Sequence, residues 1–412
     1  MRGGARLGNR SSGEVLAALP DEIAATVVRD GPAVVIACGT EEVIESNGTD
    51  VFATLDALSS GWWAGFISYE LGRAVERVER RVGRVGRASN RPDARFIRLS
   101  ARVRLQPGHD PIFEGRGDAL RRLVDAVDNP EPVPSPEGVD RWTSSLNRDE
   151  YEQGVRTIVE LIESGDCYQA NLTRRLTAQP VDAIRLWSAV DAGNPAPHAT
   201  FFRFDDLAIV SASPELFLHL DRGRVFTRPI KGTNKNALDL MASAKDYAEN
   251  VMIVDLSRND LGRIAVPGSI EVPGLCELET HPGLVHLVST VSAEMRDGVG
   301  LGGLLRATFP PASVTGAPKP RVLQVIEDLE PVTRDIYCGA LGWIDTDQAR
   351  ADLAVAIRTF AIDEETRFGV GSGITADSNP TAEWEETELK ASHLLALAGT
   401  TSARVQVGAG LR

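Results

Sequence analysis

Apolar runs of strand length recur along this chain without the regular strand–helix alternation of a parallel sheet. That pattern points to an α+β fold with large, mainly antiparallel sheets. The runs at 33–37, 207–210 and 217–220 read as strands, and 62–69 (W-W-A-G-F-I-S-Y) adds aromatics suited to a pleated surface. Residues 128–138 (D-N-P-E-P-V-P-S-P-E-G) hold four prolines and read as a linker. On this reading an N-terminal piece, 1–138, packs against a C-terminal piece, 139–412, as one intertwined unit. After the linker, 147–164 carries Tyr151, Val155, Ile158, Leu161 and Ile162 at helical spacing and delivers the chain to Gly165. There is no internal repeat.

A chain of 412 residues, 42% hydrophobic, can bury a large core without staples. Its net charge of −14 disfavours nucleic acid and anionic membranes as partners. An anionic substrate must therefore be drawn by a local cluster of Arg, Lys or bound metal. Cys38, Cys167, Cys276 and Cys338 lie far apart without C-x-x-C spacing, which argues for reduced thiols and a cytoplasmic location. Met1 to Glu14 has no apolar signal-peptide core, and no apolar run approaches the ~20 residues that span a bilayer.

Two pairs of carboxylates stand out. Residues 237–258 read as a helix ending near Gly262, with Asp246 and Glu249 three apart on one face. Ser378-Asn379-Pro380 is a helix-start signal, and Glu383 and Glu386 repeat the spacing, followed by Lys390. Two such helices facing one another would offer hard oxygen ligands to Mg²⁺. Taken by spacing alone, two solvated acidic faces are the more frequent outcome.

The segment Pro229-Ile230-Lys231-Gly232-Thr233 sets a lysine between a rigid proline and a permissive glycine. Such a lysine, once stripped of water, serves as base or nucleophile; otherwise it is a plain turn lysine. Glu215 follows an apolar strand, where burial would raise its pKa and suit a general acid. Gly371-Ser372-Gly373, placed after a strand over 367–370, offers backbone N–H groups to an anion. Arg358 follows an alternating strand, 353–357, and suits bidentate carboxylate binding. Each has a structural alternative: a capped strand end, a plain turn, a surface cation. His286, in the apolar run 284–288, reads first as a satisfied core histidine. No P-loop, dinucleotide fingerprint or nucleophile elbow is present.

The ordered series of motifs resembles the chorismate-utilising family, which includes anthranilate, aminodeoxychorismate, isochorismate and salicylate synthases. It runs from G-D-C-Y-Q-A-N-L (165–172) through S-A-S-P-E-L-F (211–217), P-I-K-G-T (229–233) and A-E-N-V-M-I-V-D-L-S-R-N-D-L-G (248–262). F-P-P-A-S-V-T-G-A-P-K (309–319), A-I-R-T (356–359) and G-S-G-I-T-A-D-S-N-P-T-A-E-W-E-E-T (371–387) complete it, ending at Lys390-Ala391. The resemblance implies an anthranilate-synthase-like fold: a β-sandwich of two large antiparallel sheets with helices outside.

Within that family, isochorismate and salicylate synthases use a lysine base at the place of Gln169, and an amide cannot activate water. Anthranilate synthases carry alanine at the place of Lys231, whereas aminodeoxychorismate synthases carry lysine; Asn250 leans the same way. The resemblance therefore implies amination of chorismate at C4 by ammonia. Lys231 attacks C2, Glu215 protonates the departing C4 hydroxyl, and ammonia then enters at C4 and expels the lysine. It further implies Mg²⁺ on Asp246, Glu249, Glu383 and Glu386. Arg358 and Tyr337 would hold the enolpyruvyl carboxylate; Lys390, Gly371 and Gly373 would assist at the ring carboxylate. Gln169, Asn171, His286, Ser313 and Thr315 would line the ring. Having no glutaminase segment of its own, the chain is expected to take ammonia from a glutamine amidotransferase subunit in a transient complex. The alternatives are anthranilate synthesis and a catalytically silent chorismate-binding subunit. Leu389 departs from the family's asparagine, and an N-terminal tryptophan site is not carried over, since only G-F-I-S-Y-E-L-G (65–72) matches there.

Overall fold

β-Branched and aromatic residues in alternating or continuous apolar runs build the strands of a computed structural model that describes residues 11–76, 78, 91–139, 141–234, 236–281, 284–400 and 405–407. The sequence reading of Met1 to Arg10 lies outside the described residues. In the first half the strands are β1 (Ala25–Asp30), β2 (Ala33–Ser46), β3 (Trp62–Ile67), β4 (Ala94–Leu105), β5 (Ile112–Gly115), β6 (Trp142–Ser144), β7 (Gln169–Ala178), β8 (His198–Arg203) and β9 (Ala208–Ser213). They continue with β10 (Leu216–Asp221), β11 (Arg224–Arg228), β12 (Ile230–Asn234), β13 (Glu271–His281), β14 (Leu284–Glu294) and β15 (Gly316–Ala317). The series closes with β16 (Ala340–Asp345), β17 (Arg350–Val355), β18 (Thr359–Ile362), β19 (Thr366–Ile374) and β20 (Val405–Val407).

Antiparallel pairing runs unbroken in the order β6–β7–β19–β18–β9–β8–β1–β2–β4–β3–β16–β17–β10–β11–β14. β12 and β13 also pair with β14, and only β20, beside β6, runs parallel. The long strands β2 and β4 form the corner, with a register shift near Thr40; β4 pairs with β3 along its start and with β5 along its end. The run thereby folds into two layers. Val28, Val35, Phe202 and Ile209 of one share a buried cluster with Phe66, Leu341, Trp343 and Ala354 of the other. The opposite faces are covered by helices. Leu16, Leu123, Trp187 and Leu394 pack on the first layer, and Phe52, Val254, Leu304 and Ile326 on the second. The expected α+β sandwich with outer helices is the fold observed.

Two local expectations change. The aromatic strand stops at Ile67, because the Ser68 hydroxyl caps a short 3₁₀ turn, Tyr69–Leu71, by accepting from the Glu70 N–H. The helix expected over 237–258 is two helices, Ala237–Ala242 and Ala244–Gly262. Ser243 breaks them: its side chain accepts from the Asp246 N–H, 3.2 Å away, which suits a cap better than a helix interior. The helix after the linker spans Arg148–Glu163, opened by a reciprocal Asn147–Glu150 capping box. Strand pairing crosses the proline-rich segment, as in β1–β8 and β3–β16. Among the described residues no helix is long and apolar enough to cross a membrane, and the four cysteines are free.

One buried polar hub holds these elements in register. Past the end of the Lys319–Leu329 helix, the Glu330 carboxylate accepts from Arg334 (Nη2 2.6 Å, Nε 3.0 Å) and from the Thr173 N–H and hydroxyl (3.0 and 2.8 Å). Arg334 donates onward to the carbonyls of Val314 (2.8 Å) and Asn171 (2.9 Å), and its guanidinium lies 4.5 Å from the Tyr69 ring centroid. The N–H groups of Arg334 and Asp335 donate to Glu70. Burial works against the Arg334 charge, and Glu330 more than offsets it. Arg334→Ala removes the main counter-charge of a buried carboxylate and is expected to cost about 3–5 kcal/mol. Urea denaturation measures this; a loss below about 1 kcal/mol would reduce the hub to an incidental contact.

Candidate active site

Lys231 stands where β12 bulges. Ile230 pairs with Val288 and Thr233 with His286, so β12 spends three steps where β14 spends two. Gly232 absorbs the extra residue at φ +86, a left-handed conformation that disfavours any Cβ. It also lies so close to the Ala244–Gly262 helix that a Cβ would sit 2.9 Å from Asp246 Cβ. The bulge re-aims Lys231 toward β7 and β19. A Cβ built at Gly373 would fall 2.8 Å from Gln169 Nε2, 3.0 Å from Lys231 Nζ and 3.2 Å from Asn171 Oδ1, so three side chains converge over bare backbone. The Lys231 side chain is 13% exposed. Desolvation lowers its pKa; Glu249, with Nζ 3.7 Å from Oε2, opposes that, and nearby Lys390 reinforces it.

Glu215 sits between β9 and β10, with its N–H on the Ser213 hydroxyl (3.3 Å) and its C=O on the Val355 N–H (3.0 Å). Burial pushes its carboxyl up to about 7, against hydrogen bonds from the Ser313 side chain and the Ile230 backbone and against the Lys231 charge. A chain of donors ties the two groups together. Gln169 Nε2 donates to Asn171 Oδ1 (3.2 Å), and Asn171 Nδ2 donates to the Ser313 carbonyl (3.3 Å). Gln169 Oε1 is buried without a partner. Glu215 lines a small pocket with Pro229, Ser257, Asp260, Pro311 and Ser313.

Two of the four carboxylates, Glu249 and Glu386, act directly on this amine. Asp246 and Glu249 rise in the first turns of the Ala244–Gly262 helix, and Glu383 and Glu386 in those of the Pro380–Leu397 helix, where the helix dipole favours negative charge. Burial raises the Glu249 pKa, with Asp246 and Glu383 adding to it and Lys231 and Lys245 opposing. Glu383 Oε1 accepts from Ser378 (2.7 Å), while its buried Oε2 has no partner. Glu386 is held low: burial raises it, but Lys390 at 2.6 Å, then Lys231 and Lys245, outweigh that. Ammonium groups thus answer these carboxylates. Among the described residues no three His, Cys, Asp or Glu side chains form a ready metal cluster.

The remaining candidates divide. Arg358, at φ +52, is desolvated, which lowers its pKa, and has no ion-pair partner among the described residues. The Tyr337 ring lies against Gly369, and its hydroxyl bonds to the Cys338 thiol. Gly371 and Gly373 are not a turn: they lie within β19, paired to Thr173 and Asn171 of β7, because the strand continues to Ile374. On their other side β18 reaches only Phe368, and Lys390 Nζ donates to the Gly371 carbonyl (3.1 Å). His286 is buried, with Nδ1 2.7 Å from the Thr233 hydroxyl. Thr315 is likewise buried, its hydroxyl spent on the Pro311 carbonyl, which makes it a turn-former rather than an open ring contact. Asn250 pins its helix by donating to the Leu287 carbonyl (3.0 Å). Sequence reasoning missed Lys245, whose i,i+4 spacing to Glu249 was the available signal, and the buried pair Lys319–Asp260 (2.8 Å), which had none.

Comparison with known proteins identifies relatives of the chain by sequence and by fold. A family model described as a chorismate binding enzyme matches residues 20–396. Aminodeoxychorismate synthase component 1 of Salmonella typhimurium is 42% identical over 266 residues, 62% of this chain, which spans 58% of that relative's length. Anthranilate synthase component 1 of Pseudomonas putida is 34% identical over 334 residues, 74% of this chain and 66% of that one. The crystal structure of anthranilate synthase component I from Streptococcus pneumoniae superposes with TM-score 0.74 at 25% identity, covering 96% of this chain and 95% of that. The menaquinone-specific isochorismate synthase of Escherichia coli shares the fold at TM-score 0.75 and 18% identity, over 96% and 93% of the two chains.

Gly232→Ala is expected to destabilise the protein by about 1–2 kcal/mol from backbone strain alone, plus the clash with Asp246. Gly268→Ala, at φ +84 with open space around it, supplies the strain without the clash. Equal losses for the two variants in urea melts would show that the helix does not crowd Gly232.

Proposed function

The chain belongs to the chorismate binding enzyme family, and on that footing we propose that it aminates chorismate to 4-amino-4-deoxychorismate, using ammonia delivered from glutamine by a partner subunit. The observation that carries this reading is the desolvated Lys231 amine, aimed over Gly373 beside a glutamate whose pKa is about 7. Desolvation favours the neutral, nucleophilic amine. In the proposed reaction Lys231 Nζ bonds to C2 of chorismate as the C4 hydroxyl leaves, and Glu215 supplies the proton that makes it water. Ammonia then bonds to C4, the double bonds shift back, and the C2–N bond to Lys231 breaks. With C2 blocked by lysine, nitrogen can enter only at C4. Arg358, uncompensated and desolvated, suits a substrate carboxylate. Gln169, an amide, cannot activate water, which favours ammonia as nucleophile.

Asp246, Glu249, Glu383 and Glu386 fit Mg²⁺ in kind: hard oxygen donors, one of them a buried oxygen without a partner. When bound there, the cation supplies positive charge that anchors a substrate carboxylate. Lys231, Lys245 and Lys390 hold two of those carboxylates, so they and the metal compete for the same oxygens. The reading extends to a cytoplasmic enzyme of folate and p-aminobenzoate synthesis; the four unpaired cysteines and the component 1 relatives support it.

Chorismate, Mg²⁺ and ammonium salt, with and without added aminodeoxychorismate lyase, test this directly. The parent is expected to yield p-aminobenzoate only with lyase, and chelator to abolish it. Lys231→Ala is expected to lose C4 amination and to release fluorescent anthranilate instead. Anthranilate from the parent would establish the rival chemistry, and no turnover at all the silent subunit.

The pH dependence carries a sign. Folding raises the Glu215 pKa from 4.5 to about 7, so the stability it contributes is present below 4.5 and lost as pH rises through 7. The acid is lost over the same range. Turnover at saturating chorismate is expected to fall above pH 7, and Glu215→Gln to remove that limb at a cost of roughly 10²–10⁴-fold.

A further inference from the structure

On the β7–β19 ladder Asn171, Thr173 and Arg175 share one face, opposite Gly373, Gly371 and Gly369 in register. The catalytic groups occupy one end of that face. Four residues along β19, about 13 Å away, the Tyr337 ring lies against Gly369. Here a second, narrow pocket opens, lined by Thr173, Arg175, Thr333, Asp335, Tyr337 and Arg367 among others.

Its polar walls do not balance. Arg334 is answered by Glu330, Arg367 by Asp363, and Asp335 by Arg91 at 2.6 Å. Arg175 makes no ion pair and no side-chain hydrogen bond among the described residues, and its buried Nε has no partner. Desolvation and then Arg367 oppose its charge, while Asp335, Glu365 and Glu70 favour it through space without touching it. An arginine does not escape by losing its proton. Three further wall atoms are buried and unmatched: Arg367 Nε–H and the Thr333 hydroxyl as donors, Asp335 Oδ1 as acceptor. Those three residues are each at least nine-tenths buried. A guanidinium without a direct partner among the described residues, two spare donors and one spare acceptor describe the complement of a ligand.

We infer that this cavity is a second binding site, separate from the catalytic pocket, for a small carboxylate that also carries a hydroxyl or amino donor. Arg175 meets the carboxylate, with Arg367 Nε–H and the Thr333 hydroxyl assisting; Asp335 Oδ1 accepts from the ligand's donor group. The inference does not depend on chorismate being the substrate.

Isothermal titration of the full chain with sodium lactate, at ionic strength fixed with chloride, tests it. Lactate is expected to bind saturably at one site and more tightly than acetate, which lacks the hydroxyl. Arg175→Gln is expected to weaken lactate at least tenfold, whereas Arg358→Gln, in the catalytic pocket, keeps it. Without ligand, Arg175→Gln is expected to melt no lower than the parent, since it removes a partly buried charge that makes no direct ion pair. The inference is overturned if lactate fails to saturate at tens of millimolar, or if Arg358→Gln abolishes binding while Arg175→Gln preserves it. It is equally overturned if inorganic phosphate binds in preference to lactate, or if ligand-free Arg175→Gln melts well below the parent.

Discussion

A buried guanidinium with nowhere to lose its charge organises this molecule. Arg334 spends its donors on Glu330 and on the carbonyls of Asn171 and Val314, and so fixes β7 against the turn that carries Ser313. Asn171 then reaches the Ser313 carbonyl, and Ser313 reaches Glu215. A group that does not touch Glu215 thereby holds in place the residue that does. In a low-dielectric interior each link of such a network is strong only while all are satisfied.

The second organising fact is a conflict of charge. Carboxylates on two helix starts converge on a protein already carrying −14, and lysines, not distance, keep the peace. Lys231 therefore has two opposed neighbourhoods: burial that favours the neutral amine and Glu249 that favours the ammonium. Whatever relieves Glu249 of its lysine tips that balance toward the neutral amine. The acidic cradle is thus a setting for the amine as much as a ligand set.

Much of this was legible in the residues. The proline–glycine frame of Lys231 marked a special backbone, and Gly232 at φ +86 is its physical cause. The helix-start signal at 378–380 and the paired glutamates after it lie as read. Burial of Glu215 followed from the apolar strand before it. What escaped did so for identifiable reasons. Ser243 with Asp246 three residues on is a cap signal, but apolar periodicity on either side masked it. Glu330 and Arg334 have the spacing of an exposed helical pair of little worth; only the chain's exit from the helix at Glu330 buries them.

Strand pairing has a temporal consequence as well. β3 lies between β4 and β16, so one of its edges stays open until residues 340–345 have left the ribosome. β1 likewise waits for β8, and the catalytic ladder of β7 for β19. Such non-local closure is slow and exposes unpaired edges to neighbouring nascent chains. A translational pause or premature stop before the last strands would leave sheet edges unpaired rather than yield a folded half.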